Sequence, residues 1–111
     1  MNLTDQKCVP CEGGVDPMTK MEAEAMINFH VKDWVLDAEG KHISKKFTFK
    51  NFIEALAFIN KVGEIAEGEQ HHPDIHLTDY KFVTIDLSTH AIKGLSQNDF
   101  IVAAKVNASQ N

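Results

Sequence analysis

The stretch KHISKKFTFKNFIEALAFINKVGEIAE, residues 41–67, decides the fold, because its hydrophobic period changes from that of a strand to that of a helix. In residues 41–49, alternate positions place Ile43, Lys45, Phe47 and Phe49 on one face, which is apolar apart from Lys45. This alternation predicts a strand. From Asn51 to about Glu67 the helical stripe comprises Phe52, Leu56, Ile59 and Val62/Gly63. Phe58 and Ile65 widen it, so this helix must cover a sheet, a neighbouring subunit, or both.

Towards the N-terminus, the strand has a partner and a helix precedes the pair. Trp34-Val-Leu36 and residues 41–49 flank the Gly-bearing turn at 38–40, a pattern that predicts an antiparallel hairpin. Thr19-Lys-Met-Glu22 is a capping box, so a helix should begin there and end near Asn28. Its residues near helical spacing are Met21, Ala25 and Asn28/Phe29. Residues 1–18 are expected to form an irregular leader, since they contain Pro10, Gly13, Gly14 and Pro17.

Towards the C-terminus, two more strands and a helix are predicted. Gly68 and Pro73 should end the long helix, Ile75–Leu77 should form a short strand, and Tyr80–Leu87 a longer one. The core face of the longer strand should be Val83, Ile85 and Leu87. Ser96-Gln-Asn-Asp99 resembles a second capping box and leads into a helix from Phe100 to about Asn107. The order α-β-β-α-β-β-α predicts an α+β fold in two layers, with three helices on one face of a four-stranded antiparallel sheet, and residues 19–111 should form one domain.

The composition narrows the class of protein. The chain has 111 residues, of which 43% are hydrophobic and 24% charged, and a net charge of −5. These values are typical of one ordinary globular domain. The acidic balance argues against a nucleic-acid or membrane surface, because both need clustered Lys and Arg. No run is apolar enough for a signal peptide or a membrane span, so we expect a cytoplasmic protein.

The two cysteines, Cys8 and Cys11, form a Cys-x-x-Cys pair in the leader. This spacing suits half of a zinc site or a redox pair. The sequence offers no second Cys pair and no helical His-x3-His, and a redox pair is expected at a strand-to-helix turn. An incidental or local structural role is therefore the favoured interpretation.

The candidate chemistry lies at His71-His72-Pro73, where the strongest helix gives way to a strand. Pro73 biases His72 towards an extended backbone. If the helix continues for one more turn, Glu67 shares a face with His71 and a carboxylate there would orient the ring. The alternative is an exposed helix end, where His is favoured by the helix dipole. A metal site is disfavoured, because adjacent side chains diverge, and spacing alone leaves the catalytic and structural interpretations open.

The remaining histidines are weaker candidates when each is taken alone. His90 follows the long strand in Leu87-Ser-Thr-His90, where a single His is more often structural. His30 and His42 stand in polar surroundings, and His76 lies within a short strand. We interpret His30 and His42 as surface residues, and His76 as pointing to solvent, with a pocket as the alternative.

The combination is more specific than any of its parts. It reads Glu67-x3-His71-His72-Pro73-x6-Tyr80-x9-His90-x8-Asp99. This closely resembles the signature of the pterin-4a-carbinolamine dehydratases. The resemblance covers roughly residues 19–107, and its further landmarks are Trp34, Phe47–Phe52, Leu87–His90 and Gly94–Ser96. Gln70 departs from the family pattern, since many members carry Asp before the two histidines.

The resemblance implies a lyase that removes water from 4a-hydroxytetrahydropterin and gives quinonoid dihydropterin, in the recycling of the pterin cofactor of aromatic amino acid hydroxylases. It implies His71, His72 and His90 as the catalytic histidines, with His71 and His90 as general acids and His72 as the base or a pterin ligand. Glu67 would orient His71, Pro73 would shape the site, and Asp99 would serve mainly to start a helix.

The resemblance also bears on cofactors and partners. It implies no metal and no redox cofactor, because the reaction involves no net oxidation. The expected partners are the small pterin and other copies of the chain, as a homodimer or homotetramer, with no nucleic acid and no membrane. Two alternatives remain open: a non-enzymatic regulatory or dimerisation module that uses the second helix, and a homologue that acts on another pterin.

Overall fold

The computed structural model describes residues 3–9 and 16–110, and in them it confirms the predicted α+β order. The helices are α1 (Lys20–His30), α2 (Phe52–Glu69) and α3 (Gln97–Ala108), and the strands are β1 (Val35–Leu36), β2 (Ile43–Thr48), β3 (Asp74–Thr78) and β4 (Phe82–Leu87). Two short 3-10 turns occupy Leu3–Asp5 and His90–Ile92. The strands form one antiparallel sheet in the order β1-β2-β4-β3, and the helices cover one of its faces.

The register of the central strands places the apolar side chains on the face that the helices cover. Ile43 pairs with Leu87 and Phe47 with Val83, while Ile85 lies between them on β4. Val83, Ile85 and Leu87 are fully buried, as their alternation predicted. Tyr80 does not belong to this strand, because the chain turns through positive φ at Asp79 and Tyr80 before β4 begins.

The first helix begins at the predicted capping box, in which Thr19 and Glu22 bond reciprocally. The predicted apolar face is wrong, since Met21 is 80% exposed and Phe29 is 82% exposed. Ala23 and Ile27 face the core instead. The prediction favoured large apolar side chains, whereas the helix presents a fully buried alanine to its neighbours and continues to His30 rather than ending near Asn28.

The second helix is also rotated relative to the predicted stripe. Its buried residues are Ala55, Phe58, Val62 and Ala66. Of the predicted stripe, Val62 is buried, but Phe52 and Leu56 are exposed, together with Ile53. Phe58 fixes the rotation, because its ring packs on Phe47 and Phe49 of the sheet at centroid distances of 4.6 and 4.9 Å.

The third helix is the most buried element. It begins one turn earlier than predicted, at Gln97, and Phe100 is among its fully buried residues. Trp34 anchors the far end, where its indole Nε1 donates a 3.0 Å hydrogen bond to Asn107 Oδ1. Helix α3 packs against both α1 and α2, so neighbouring elements constrain its position from two sides.

Part of the predicted irregular leader is described, and it packs on the domain. Leu3 is only 5% exposed and belongs to the hydrophobic core. Pro10, Cys11, Gly13 and Gly14 lie outside the described residues. Among the residues that the structure describes, no helix has the length and hydropathy needed to cross a membrane.

Candidate active site

A pocket of about 630 Å³ lies where the end of α2, the turn after β4, the start of α3 and the leader meet. The three predicted histidines line it, together with other residues from the same four segments: Cys8, Val9, Gly68, Glu69, Gln70, Ser88, Thr89, Ala91 and Asn98. Glu67 and Pro73, which the sequence also nominated, are not among the described lining residues. The fold therefore brings together His71, His72 and His90 from two distant parts of the chain.

The end of α2 decides where the first two histidines point. The helix passes through Gly68 and ends at Glu69, and Gln70 then adopts the left-handed conformation with φ of 55°. That conformation is unusual for a residue with a Cβ. The Gln70 side chain supports this helix end, because its amide nitrogen donates a 2.7 Å hydrogen bond to the Glu67 carbonyl, which also accepts the Gln70 backbone N–H at 3.3 Å. The reversal sends His71 towards α3 and leaves His72 at the surface.

His71 is held by a buried carboxylate. Its Nε2 lies 2.6 Å from Asp99 Oδ1, and the exposed fractions of the two side chains are 12% and 0%. The other oxygen, Asp99 Oδ2, accepts hydrogen bonds from the Thr89 hydroxyl at 2.8 Å and from the Ser96 backbone N–H at 3.0 Å. When Asp99 is ionised its carboxylate can only accept, and the hydrogen of the first bond then belongs to His71 Nε2. Asp99 thus starts α3, as predicted, and also orients a catalytic candidate.

His72 has an exposed partner. Its Nε2 lies 2.8 Å from Glu67 Oε1, and these side chains are 57% and 75% exposed. The prediction that Glu67 orients His71 is therefore wrong. Its premise was one more turn of helix, whereas the left-handed Gln70 ends α2 before His71.

His90 begins the 3-10 turn after β4 and has an exposed side chain. An isolated bridge between Thr89 and Gly94 closes this turn, with the Thr89 N–H donating to the Gly94 carbonyl at 2.7 Å. The His90 ring makes no hydrogen bond to the described residues. Because Thr89 also donates to Asp99, one carboxylate ties the turn that carries His90 to the ring of His71.

Several residues of the pocket were not predicted from the sequence. Thr89 lies within the family landmark Leu87–His90, but the sequence analysis assigned it no role in the site. Nothing in the sequence pointed to Glu69, Asn98 or Val9. Asn98 is 5% exposed, although a polar residue in the first turn of a helix is typical of a solvated cap. These residues acquire their positions only when the leader, α2 and α3 pack together.

The other three histidines lie outside this pocket. His30 and His76 are exposed, as predicted, and His42 pairs through Nδ1 with Asp86 Oδ1 at 2.9 Å on the outer side of the sheet. Burial, together with the nearby Glu69 carboxylate, raises the pKa of the Cys8 thiol to about 12. Over residues 3–9 and 16–110, no three His, Cys, Asp or Glu side chains cluster in a way that could hold a metal ion.

Comparisons with known proteins agree with the resemblance in the sequence. The family model described as pterin 4 alpha carbinolamine dehydratase matches residues 16–109. A relative from Halorhodospira halophila, named "Putative pterin-4-alpha-carbinolamine dehydratase", is 52% identical over 108 residues, 97% of each chain. One from Methylococcus capsulatus with the same name is 45% identical over 96% of this chain and 91% of the relative.

Two solved structures share the fold. The Brucella melitensis transcriptional coactivator/pterin dehydratase has a TM-score of 0.75 and 28% identity, over 84% of this chain and 97% of its own. A pterin dehydratase-like protein identified as a RuBisCO assembly factor in the alpha-carboxysome has a TM-score of 0.58 and 22% identity, over 68% and 87%. The family match over nearly all of the domain and the close relatives lead to one conclusion: the chain belongs to the pterin 4 alpha carbinolamine dehydratase family.

Proposed function

We propose that this chain removes water from 4a-hydroxytetrahydropterin and releases quinonoid dihydropterin, the recycling step for the pterin cofactor of aromatic amino acid hydroxylases. The observation that carries the proposal is the convergence of His71, His72 and His90 on one pocket, with His71 fixed by the buried Asp99. The family match and the relatives' names support the same substrate class.

The reaction needs two proton transfers. The bond from ring carbon 4a to its hydroxyl breaks after the hydroxyl gains a proton, and an adjacent ring nitrogen loses a proton as its double bond to that carbon forms. The products are water and the quinonoid ring, and no electrons are gained or lost overall. Imidazole suits both transfers near neutral pH, since its unperturbed pKa is about 6.5.

The hydrogen-bond partners suggest how the histidines divide these tasks. When His71 is protonated, Nε2–H is directed to Asp99, and Nδ1–H remains to donate to the departing hydroxyl. His90, from the facing turn, acts as the second acid. His72 directs Nε2–H to Glu67, which leaves the lone pair of Nδ1 to accept the proton from the ring nitrogen or to bind the pterin.

The test follows dehydration of 4a-hydroxytetrahydropterin that an aromatic amino acid hydroxylase generates in the same cuvette. We expect the chain to accelerate the loss of the carbinolamine spectrum. We expect this acceleration to fall in His71→Ala, His72→Ala and His90→Ala, but not in the matched control His76→Ala, whose ring is exposed outside the pocket. A wild-type rate equal to the spontaneous rate would overturn the proposal. Binding of a pterin analogue without turnover would favour the non-enzymatic module instead.

We also propose that the chain forms a homodimer or homotetramer through α2. The support is an exposed apolar surface on this helix, formed by Phe52, Ile53 and Leu56, with Ile53 72% exposed. Contiguous apolar side chains of this size on a helix are typical of an interface. Sedimentation velocity should show an oligomer that Ile53→Glu dissociates and that the charge-matched control Asn28→Glu, at an exposed position of α1, leaves intact. A monomeric wild type would contradict this.

A further inference from the structure

Two leader residues form one wall of the pocket, although at least 62 residues separate them from the histidines at the end of α2. Cys8 and Val9 both line the pocket beside His71, His72 and His90. Leu3 inserts into the core at the start of the same segment, so this wall is anchored to the domain. The sequence offered only a Cys-x-x-Cys pair here and no reason to expect contact with the site.

Two side chains clamp the backbone of this wall. Asn98 Oδ1 accepts a 3.1 Å hydrogen bond from the Val9 N–H, and Asn98 Nδ2 donates a 2.7 Å bond to the Val9 carbonyl. Glu69 Oε1 accepts from the Cys8 N–H at 2.8 Å, and its Oε2 accepts from Lys105 Nζ at 2.6 Å. Asn98 is 5% exposed and the Glu69 side chain is 9% exposed, so both clamps are shielded from water.

The segment held by these hydrogen bonds exposes the apolar side chain of Val9 to solvent. Val9 is 68% exposed even though both of its backbone polar groups are tied to Asn98. Most of the other side chains that line the pocket are polar, namely His71, His72, His90, Glu69, Gln70, Ser88, Thr89 and Asn98. A flat conjugated ring needs apolar cover as well as polar partners. The exposed valine therefore sits where such a ring would remove it from water.

We propose that two described leader residues, Cys8 and Val9, form a substrate-binding wall whose side chains contact the bound pterin ring, and that Asn98 and Glu69 are the residues that position them. This proposal rests on the proposed function, since it takes a pterin as the ligand of the pocket. The raised pKa of the Cys8 thiol fits this role, because a neutral thiol is a small apolar surface and a poor nucleophile.

The first test compares Val9→Ser with Val35→Ser, a matched control because Val35 is 64% exposed and lies on β1 outside the pocket. We expect Val9→Ser to raise KM roughly three- to tenfold through lost apolar contact, with kcat within about twofold. Val9→Ile, which keeps an apolar side chain, should leave the KM close to the wild-type value, and Val35→Ser should change neither constant. An unchanged KM in Val9→Ser would overturn the proposal while leaving the dehydratase activity established.

The second test does not depend on turnover. In a Cys11→Ser background, which leaves Cys8 as the single thiol, the rate of alkylation by N-ethylmaleimide is measured with and without 7,8-dihydrobiopterin. We expect saturating dihydrobiopterin to slow alkylation at least fivefold, and Asn98→Ala to speed it by releasing the wall. If dihydrobiopterin binds but does not slow the alkylation of Cys8, the proposal that Cys8 and Val9 contact the pterin is overturned. No binding and no turnover together would overturn the proposed function instead.

Discussion

His71 and His72 are neighbours in the chain, but their surroundings are opposite. The first pairs with a carboxylate that is 0% exposed, and the second with one that is 75% exposed. A buried pair holds its geometry, because three donors share Asp99 and water does not compete. An exposed pair contributes little, since water and salt screen it. Two identical residues therefore have different surroundings, and we expect them to contribute differently to the proposed reaction.

The largest effect is expected when the two rings are removed in turn. His71→Ala should lower kcat about thousandfold, within the range that general acid catalysis supplies. His72→Ala should lower kcat only about tenfold, because water can replace a base at an exposed position. Stopped-flow measurement of dehydration tests the order. A larger loss of kcat in His72→Ala than in His71→Ala would contradict the expectation that His71, which pairs with the buried Asp99, makes the larger contribution.

The next effect concerns the buried partner. Asp99→Asn keeps the shape of the side chain but replaces the charged carboxylate that accepts hydrogen bonds from His71, Thr89 and Ser96. We expect kcat to fall about a hundredfold, because His71 loses its fixed tautomer and orientation. Unpaired buried donors should lower the free energy of unfolding by about 2 kcal/mol, measured by urea titration. If the free energy of unfolding falls as expected but kcat stays at the wild-type value, the pair is only structural.

The exposed partner should matter far less. Glu67→Gln retains an oxygen that can accept a hydrogen bond from His72 Nε2 and removes only the charge of a surface pair. We expect kcat and KM to change less than about threefold, with an unchanged melting temperature. Steady-state kinetics of Glu67→Gln and Asp99→Asn, measured under the same conditions, provide the matched comparison. A loss similar to that of Asp99→Asn would remove the distinction between the two histidines.

The smallest effect is a pH dependence of stability from Glu69, the buried carboxylate under the leader. Burial acts to raise its pKa, but hydrogen bonds from Lys105 and the Cys8 N–H, with the charges of Lys105 and Lys7, lower it below its ordinary 4.5. A lowered folded-state pKa stabilises the protein above pH 4.5, and this contribution is lost as the pH falls through the folded value.

Urea titrations of wild type and Glu69→Gln at several pH values test this. The wild type should be the more stable at pH 7, and the difference should shrink below pH 4.5. The nearby Cys8 thiol does not contribute in this range, because its raised pKa keeps it neutral. A difference that stays constant down to pH 3 would contradict the role of the Glu69 charge.

The sequence predicted most of the fold because its signals are local. The capping box at Thr19, the alternation in β4 and the turn between β1 and β2 each depend on a few neighbouring residues. The failures concern helix rotation, since both Met21 and Phe52 are apolar yet exposed. Apolar residues on two faces of a helix do not reveal which face meets the sheet, and Phe58 settles it only through the rings it packs on.

The site shows the same division. The sequence by itself determined the family, the order of the elements and the three histidines as candidates, because a motif records which residues are present and how they are spaced. Tertiary structure decided that His71 pairs with Asp99 rather than Glu67, and that Cys8 and Val9 reach the same pocket. The physical reason is that pairing depends on distance in space. A single left-handed residue at Gln70 and the packing of the leader on α3 set these distances.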